Sequence, residues 1–541
     1  MLTLILIFAG ESALGQPQPA SIHTASKPPP AIARTSTTAL DAALEMLPEH
    51  TAFALVIPDP RGLHARLSQA TEGIAPLLEE WAPDRLEARV RRAMALEDDG
   101  PAAGIDPRKP LILVPGFSGA PDLVRLTLSS VTRFEAWART RGPAGAIAPW
   151  NDGPVYAIAA TDGTPMACAP RGDGVWCQLG AAEGPDPLLE LRRMIDVPSR
   201  RLAHVEGMER AAIRLRADAD AYVVARPTAL GELAARAHYE RARRASPFSQ
   251  RRGTDEDDLR RDASPWVARA ALVNGAAAAL TVGNRAIESE VELVLSARGA
   301  ALVRAMTADV GRSDPLSAWA RTPALAHLVV RLDPAFSAEI LRSMDVTLPP
   351  DILSGTLAAM ALGIDTECGA AKAAKAGWAA SWPFVFPMAG AIGLAGGRPL
   401  DRDRLMNALG VARDKKHDGD DDVLFRARTS GGPIEGRLVS GALLVGTGPG
   451  SGAAARRRWS AGTDATPSTG AFIEAEASLP AIAAALASGS YEHDTRPELR
   501  RLDALMRALR PWSQRYPRVR LEAKSIDSGA RVRVVGSFSQ P

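Results

Sequence analysis

The sequence predicts an α+β fold: two tandem copies of a β-α/β-meander module with mainly antiparallel sheets and helices packed on them. Two observations predict this class. Runs that alternate apolar and polar residues, such as VRVVGSF, indicate strands of a sheet with one covered face. The same order of strand, turn and helix signals also occurs twice along the 541-residue chain, which indicates an internal repeat.

The first matching segments are TAFALVIPDPRGLHARL (51–67) and LAHLVVRLDPAFSAEIL (325–341). Each is an apolar strand-like run, then Asp-Pro, then a helical pattern. Asp59 and Asp333 are natural N-caps, and the proline after each suits the first helical position. Both segments are therefore predicted to form a strand followed directly by a helix.

Five further pairs of segments correspond, in chain order: 102–106 with 361–365, 109–115 with 382–388, 156–180 with 424–447, 221–235 with 471–485, and 279–296 with 521–538. Each module is predicted to contain β-α, β, β-α, a three-strand meander, a helix, β-α and a closing hairpin. The first module spans 39–310 and the second spans 320–541. The first carries an insertion at 236–265, dense in both charge signs, which predicts a solvated helix end and loop.

The N-terminal residues 1–15, MLTLILIFAGESALG, resemble a secretory signal peptide. Their apolar run, 2–9, is too short to span a bilayer, which takes ~20 residues. Ala13 and Gly15 are the small residues expected before a cut after Gly15. The segment lacks a basic n-region, so an ordinary apolar N-terminus stays open as the alternative. Residues 16–38, rich in Pro, Ser and Thr, are predicted to be a flexible linker.

Cys168 and Cys177 are predicted to form a disulfide. If Gly172-Asp173 forms a two-residue hairpin turn, the cysteines face each other at a non-hydrogen-bonded pair, where Cα atoms approach to ~4.5 Å. This separation lies within the range of disulfides. A disulfide fits an exported protein, and two buried thiols are the alternative. The third cysteine, Cys368, has no evident partner.

The stretch GALLVGTGPGSGAAARRR (441–458) has the outline of a nucleotide-binding turn. The G-x-G-x-x-A spacing of such a turn is met by Gly448, Gly450 and Ala453. Glu474 or Glu476 would then be the acid that binds the ribose. The fingerprint needs a parallel β-α-β unit, however, and 442–445 is predicted to be the third strand of an antiparallel meander. The stretch is therefore predicted to be a loop that leaves a sheet, with anion affinity at the next helix start left open.

Two further motifs suggest chemistry that their surroundings do not support. Ser118 in PGFSGAP lacks the last glycine of a nucleophile elbow, and a strand rather than a helix is predicted after it. The acidic run 414–422 lacks oxygen ligands at the third and twelfth positions of an EF-hand loop. A solvated loop is predicted there, and an adventitious cation site at Asp418, Asp420 and Asp422 stays open.

Two more motifs have structural explanations. Arg171-Gly172-Asp173 is an adhesive tripeptide in some proteins, but glycine and aspartate are also the residues that a tight turn favours. The uncharged segment 376–397 is long enough to suggest a membrane span. Two prolines interrupt it, and its match to the first module predicts strand, loop and strand in a core.

Two segments carry a weak resemblance to a group of known proteins. MLPEHTAFALVIPDP (46–60) and GIDPRKPLIL (104–113) resemble uncharacterised bacterial envelope proteins. Proteins of that kind carry long α+β modules of unknown function behind a signal peptide or lipid anchor. The resemblance implies a location in the envelope and no activity, substrate or catalytic residue.

These observations predict an exported, periplasmic or secreted, non-catalytic envelope protein that binds a partner protein, an envelope polymer or an apolar ligand. The net charge of +2 indicates no nucleic-acid partner, and no transmembrane segment beyond the signal is predicted. No catalytic, cofactor-binding or metal-binding residue is identified from a motif. A periplasmic hydrolase and a structural spacer stay open as alternatives. A hydrolase should bring a base and a nucleophile together, with shifted pKa values. A binding module should present an apolar groove without converging titratable groups. A spacer should show neither a catalytic cluster nor a groove.

Overall fold

The computed structural model of the chain describes residues 39–70, 103–116, 121–141, 147–150, 153–159, 165–179, 188–195, 200–233, 235, 267–268, 270–307, 315–322, 324–343, 346–362, 388–395, 405–407, 423–429, 432–447, 450–461, 470–488 and 510–539. Contacts divide the chain into two compact units. The N-terminal unit comprises Arg34–Ala300 and Gly529–Arg533, and the C-terminal unit comprises Ala301–Ser528 and Val534–Pro541. The predicted signal peptide, linker and charged insertion lie outside the described residues.

The described residues of the N-terminal unit form ten strands. In chain order its elements are α1 (Ala39–Met46), β1 (Phe53–Ile57), α2 (Pro60–Ala70), β2 (Leu111–Val114), β3 (Asp122–Thr127), α3 (Val131–Arg141), β4 (Ile147–Trp150), β5 (Gly153–Ala159), β6 (Pro165–Arg171), β7 (Gly174–Leu179), α4 (Leu189–Ile195), α5 (Met208–Ile213), β8 (Ala221–Ala225), β9 (Val273–Val282), β10 (Ala286–Leu295) and the start of α6 (Ala297–Met306). All described pairings are antiparallel, in the order β4-β5-β6-β7-β3-β2-β1-β8-β9-β10. The predicted meander of 156–180 is confirmed as β5, β6 and β7.

Helices cover both faces of the N-terminal sheet. On one face of the sheet, the helices α1, α4 and α5 pack against buried strand side chains, which include Val56, Trp176 and Tyr222. We call this side the α5 face. On the opposite face, Phe134 of α3 contacts the ring of Tyr156 edge-on, with 6.3 Å between centroids. Successive residues of a strand point to opposite faces, which is why these strands are apolar on both sides.

Nine strands are present in the described part of the C-terminal unit. Its elements are α7 (Pro315–Arg321), β11 (Ala326–Arg331), α8 (Pro334–Ser343), β12 (Leu353–Ala361), β13 (Met388–Leu394), β14 (Val423–Thr429), β15 (Gly432–Val439), β16 (Ala442–Thr447), α9 (Ser451–Ala461), β17 (Ala471–Ser478), α10 (Leu479–Ser488), β18 (Arg518–Ile526) and β19 (Arg531–Ser539), whose first three residues belong to the N-terminal unit. The described pairings are antiparallel, in the order β14-β15-β16-β13-β12-β11-β17-β18. The predicted meander of 424–447 is confirmed as β14, β15 and β16.

Two hydrophobic clusters flank the C-terminal sheet. One includes Trp319 of α7, Val329 of β11 and Ala455 of α9, and this side of the sheet is here called the α7 face. The other includes Leu341 of α8 together with Leu424 and Phe425 of β14. Helices and a large antiparallel sheet are thus combined, so α+β describes the fold in coarse terms, and strands dominate.

Local sequence explains where these elements begin and turn. The backbone N–H of Gly62 donates to Oδ1 of Asp59 at 2.9 Å, and that of Ala335 donates to Oδ1 of Asp333 at 2.9 Å. The two predicted N-caps are therefore confirmed. The two-residue turns after β6 and β15 each place a glycine at positive φ, Gly172 at 58° and Gly441 at 77°, a conformation that glycine adopts without steric cost.

One strand differs from expectation. The second strand of the C-terminal unit is β12, residues 353–361, which pairs with β11 and β13. The match of 109–115 with 382–388 predicts that strand at 382–388, of which only Met388 is described. The sequence of β12, LSGTLAAMA, is rich in alanine and poor in β-branched residues, so its strand propensity is low. Burial of Leu353, Ala358 and Met360 within the unit outweighs that propensity.

Candidate functional site

The disulfide predicted between Cys168 and Cys177 is present. The two residues are direct cross-strand partners on β6 and β7, and their Cα atoms are 4.1 Å apart. Both are fully buried. Their neighbours along the same row of the sheet are Tyr156 on β5 and Val124 on β3. The disulfide therefore links β6 to β7 within the core of the unit rather than at its surface.

The tip of this hairpin is held by an ion pair. Nη2 of Arg125, on β3, lies 2.5 Å from Oδ1 of Asp173, and the Arg125 side chain is buried. The Nη1 group of Arg171 donates to the carbonyl oxygen of Pro170 at 2.7 Å. Both charged side chains of the Arg171-Gly172-Asp173 tripeptide thus contact their own unit, which agrees with a role in the turn.

The glycine-rich stretch after β16 serves close packing of α9. A Cβ atom on Gly446 would lie 2.2 Å from the backbone nitrogen of Gly452, and a Cβ on Gly452 would lie 2.6 Å from Oε1 of Glu435. The Glu435 carboxylate therefore lies at the first turn of α9, where a helix dipole favours an anion. It is also ion-paired with Arg426 at 3.0 Å and Arg437 at 2.5 Å. This packing explains Gly446 and Gly452, and β16 is antiparallel to both of its described neighbours.

A group of charged side chains is concentrated on the α7 face of β11, β17 and β18. We call this group the charged shelf, and it consists of Arg321, His327, Glu474, Glu476, Arg520, Glu522 and Lys524. Two rows of cross-strand partners build it. His327, Glu476 and Arg520 are aligned across the three strands in one row, and Val329, Glu474 and Glu522 are aligned in the next. Partners in a row lie on one face, so the charges converge.

Glu474 forms the buried part of the shelf. Its Oε2 lies 2.5 Å from Nη2 of Arg321, and its Oε1 lies 3.2 Å from Nη1 of Arg331. The Arg331 side chain is 5% exposed and also donates to Ser317 Oγ at 2.6 Å and to the carbonyl oxygen of Ala471 at 2.8 Å. Two arginines thus neutralise this carboxylate, and removing it would leave Arg331 as a buried charge without its ion-pair partner.

Glu522 forms the outer part of the shelf. Its carboxylate lies 2.5 Å from Nη2 of Arg520 and 3.1 Å from Nζ of Lys524. The Arg520 and Lys524 side chains are largely exposed, so solvent screens these contacts. The second shelf carboxylate, like the first, is therefore matched by two cations.

His327 and Glu476 stand directly opposite each other and are both half-buried. Within the described part of the chain, neither side chain makes a hydrogen bond or an ion pair. Burial lowers the pKa of His327; the carboxylates of Glu476 and Glu474 raise it, while Arg321 and Arg520 lower it further. Desolvation prevails, which favours the neutral imidazole.

A second buried charge cluster lies in the N-terminal unit. The Glu292 side chain, 2% exposed, lies 3.4 Å from Nη1 of Arg531 and 3.6 Å from Nε of Arg533. Glu290 lies 2.6 Å from Nη2 of Arg533. Burial raises the pKa of Glu292, and the two arginines oppose that shift. Because each carboxylate here has an arginine partner, we interpret the cluster as structural.

The charged shelf is not predicted by the sequence. The sequence identifies Glu474 and Glu476 only as candidate ribose acids, and no functional motif includes His327 or Arg520. The available signal was the presence of ionisable residues inside otherwise apolar strand patterns, AHLVVR and AFIEAEAS. Ser118, Cys368 and the acidic run 414–422 lie outside the described residues. Within the described ranges, no three or more His, Cys, Asp or Glu side chains are grouped so as to hold a metal ion.

Comparisons with known proteins give little. No family model matches the chain, and no curated protein matches it by sequence. A solved structure titled "Structure of crystal form III of TP0453" is 9% identical with a TM-score of 0.24, covering 48% of this chain and 84% of that one. "Structure of crystal form I of TP0453" is 10% identical with a TM-score of 0.21, covering 49% and 81%. Similarity at this level supports no statement about fold or function. Where the chain is described, every helix is too short or too polar to cross a bilayer.

Proposed function

We propose that this protein is an exported, non-catalytic envelope protein that binds a partner through the charged shelf of its C-terminal unit. The observation that carries the proposal is the convergence of seven ionisable side chains on one sheet face, with His327 and Glu476 left without partners inside the described part of the chain. Charged surfaces of this kind give specificity to association. The shelf favours a charged partner protein or envelope polymer over the apolar ligand that the sequence also allowed.

Export is supported by the disulfide. Disulfides persist in oxidising compartments and are rare in the cytosol, where thiols are kept reduced. The Cys168–Cys177 bond is fully buried in the core of its unit, so it belongs to the folded structure rather than to a reactive surface. The signal-like residues 1–15 and the linker-like residues 16–38 agree with this location.

A duplication is supported by the strand orders of the two units. The order β5-β6-β7-β3-β2-β1-β8-β9 in one corresponds, strand for strand, to β14-β15-β16-β13-β12-β11-β17-β18 in the other. Each first strand of the repeat, β1 or β11, is followed by an aspartate-capped helix. We propose that the predicted modules, 39–310 and 320–541, arose as two copies of one unit.

Binding rather than hydrolysis is favoured by what surrounds His327. The shelf meets part of the description of an enzyme, because titratable groups converge and the pKa of the histidine is lowered. A hydrolytic base must also activate a nucleophile within hydrogen-bond reach. Among the described residues, no serine, threonine or cysteine makes a hydrogen bond to His327. A hydrolase therefore remains the second candidate, and the spacer, which predicts no convergence, is disfavoured.

The test of export is fractionation of the producing cells with thiol labelling of the recovered protein. We expect the mature chain to begin near Gln16 in the envelope or medium, and Cys168 and Cys177 to react with a maleimide polymer only after denaturation and reduction. A Cys168→Ser/Cys177→Ser variant is the matched control, since it retains only Cys368. A full-length cytosolic chain with three thiols that react without reductant would refute export.

A further inference from the structure

We propose that the charged shelf binds a primary ammonium group between Glu476 and His327, and that a lysine side chain of a partner protein supplies it. The inference rests on the proposed binding function and adds the chemistry of the partner. Three observations carry it: a carboxylate that has no ion pair with any described residue, an imidazole on the directly opposite strand position, and the compensation of the other shelf charges.

The first observation concerns charge balance within the shelf. Glu474 is matched by Arg321 and Arg331, and Glu522 is matched by Arg520 and Lys524. Glu476 alone among the three shelf carboxylates has no ion pair with a described residue. A carboxylate that loses part of its solvent gains from a nearby cation, and a cation bound here would supply the ion pair that Glu476 lacks among the described residues.

The second observation concerns hydrogen bonding. The His327 imidazole lies directly opposite Glu476, on the neighbouring strand. A neutral imidazole offers one nitrogen lone pair as an acceptor, and a carboxylate offers two acceptor oxygens. An alkylammonium group has three donors on one nitrogen, so a single such group has enough donors for both acceptors. A metal ion would need more ligands, and no group of three or more metal-ligating side chains is present in the described ranges.

The third observation concerns the surface around this pair. Arg321 and Arg520 are each ion-paired with another carboxylate, so their positive charges are compensated. Arg520 and Lys524 are exposed beside Glu522, which gives a polar surface of mixed sign. Such a surface resembles the polar rim of a protein–protein interface around a central contact. We therefore assign the ammonium group to a protein partner.

The test uses the full chain labelled with 13C-histidine, and it follows the ring signal of His327 by NMR. The chain has eight histidines, so His327→Gln identifies that signal. The probe is Nα-acetyl-lysine methylamide, and Nα-acetyl-norleucine methylamide is the matched probe without the ammonium group. We expect the lysine probe to shift the His327 signal in a saturable way and the norleucine probe to leave it unchanged.

Two variants decide whether Glu476 is the anion. In Glu476→Gln the half-saturating probe concentration should rise at least ~10-fold, the effect of losing one charge-assisted hydrogen bond. In Glu288→Gln, which removes the same charge from an exposed site in the other unit, it should stay unchanged. The remaining histidine signals report whether each variant is folded. A second readout uses the wild-type chain alone: saturating lysine probe should lower the pKa of His327.

Three results would overturn the proposal: no saturable shift, an equal shift with the norleucine probe, or an unchanged half-saturation in Glu476→Gln. A shift with glutarate but not with the lysine probe would instead indicate an anion site and would also overturn it. These outcomes are separate from those of the fractionation experiment. If the chain is exported and disulfide-bonded but the lysine probe does not bind, only the partner chemistry is wrong.

Discussion

Under the duplication proposed above, two rows of the sheet that are apolar in the N-terminal unit correspond to rows that are charged in the C-terminal unit. When rows are counted across the paired strands from the meander turns, the row of Ala54, Val224 and Ala277 corresponds to the row of His327, Glu476 and Arg520. This correspondence differs by one or two residues from the match of the segments in the sequence. In the second row, Val56, Tyr222 and Ala279 stand where Val329, Glu474 and Glu522 stand. All six residues of the N-terminal rows are buried, at 4% exposure or less.

This difference indicates that a sheet of this strand order forms without charged residues in these two rows. An antiparallel sheet of this order closes its core with alanine, valine and tyrosine, so ionisable residues at the matching positions have another purpose or an energetic cost. The N-terminal rows lie under α5, which belongs to the connection 196–220 between α4 and β8. The corresponding connection in the C-terminal unit is the shorter 462–470. The contrast is what makes the shelf a candidate site.

The largest expected effect comes from removing Glu474. Glu474→Gln takes away the carboxylate from Arg331, which is buried, so we expect a loss of about 3 kcal/mol in the free energy of unfolding of the C-terminal unit. Urea denaturation measures the loss, and hydrogen exchange of β11 and β17 assigns it to that unit. Glu522→Gln is the matched control, expected to cost below ~1 kcal/mol because its cation partners are largely exposed. Equal losses in the two variants would show that burial does not distinguish the two carboxylates.

The two meander hairpins, β6–β7 and β15–β16, differ at an equivalent cross-strand pair. The pair Gly436–Val445 on β15 and β16 has the same register, relative to its two-residue turn, as Cys168–Cys177 on β6 and β7. A Cβ on Gly436 would lie 2.1 Å from the ring of Phe425. One hairpin is therefore joined by a covalent bond. In the other, the glycine at the equivalent position is covered by the aromatic ring of Phe425 on the neighbouring strand β14.

The disulfide is expected to contribute about 2–3 kcal/mol to the N-terminal unit, as short cross-linked loops do. Replacing it by Cys168→Ala with Cys177→Val, which removes the bond and leaves an apolar side chain at both positions, should lower the unfolding free energy by that amount. Gly436→Ala should destabilise the C-terminal hairpin by about 1–3 kcal/mol, because the Phe425 ring must move. Denaturation with and without reductant measures the contribution of the disulfide, and denaturation of the Gly436→Ala variant measures the second effect. If reduction leaves the unfolding free energy of the wild-type protein unchanged, the disulfide does not stabilise the fold.

Much of the fold follows from local signals. The aspartate caps at Asp59 and Asp333, the two-residue turns and the facing cysteines depend on residues close in sequence, so pattern and turn chemistry suffice. The shelf depends on register between strands far apart in the chain, at His327, Glu476 and Arg520. A one-residue slip moves every side chain to the other face, and β17 pairs with β18 through a register shift between Ala471 and Ile473. Sequence alone does not determine such a register.

The smallest expected effect is a pH dependence that distinguishes the two units. Burial lowers the pKa of His327, with Arg321 and Arg520 acting in the same direction and Glu476 and Glu474 opposing them. Because the folded-state pKa lies below the unfolded value of about 6.5, the stability linked to this group is present above that pH and is lost as the pH falls through the folded pKa.

His327→Ala, which places the alanine of Ala54 at this position, should reduce the loss of stability of the C-terminal unit between pH 7 and pH 5. Glu476→Gln removes an opposing charge, lowers the pKa further, and should deepen the loss. Unfolding free energies at the two pH values measure both changes, and equal acid sensitivity in all three proteins would assign the effect to groups other than His327.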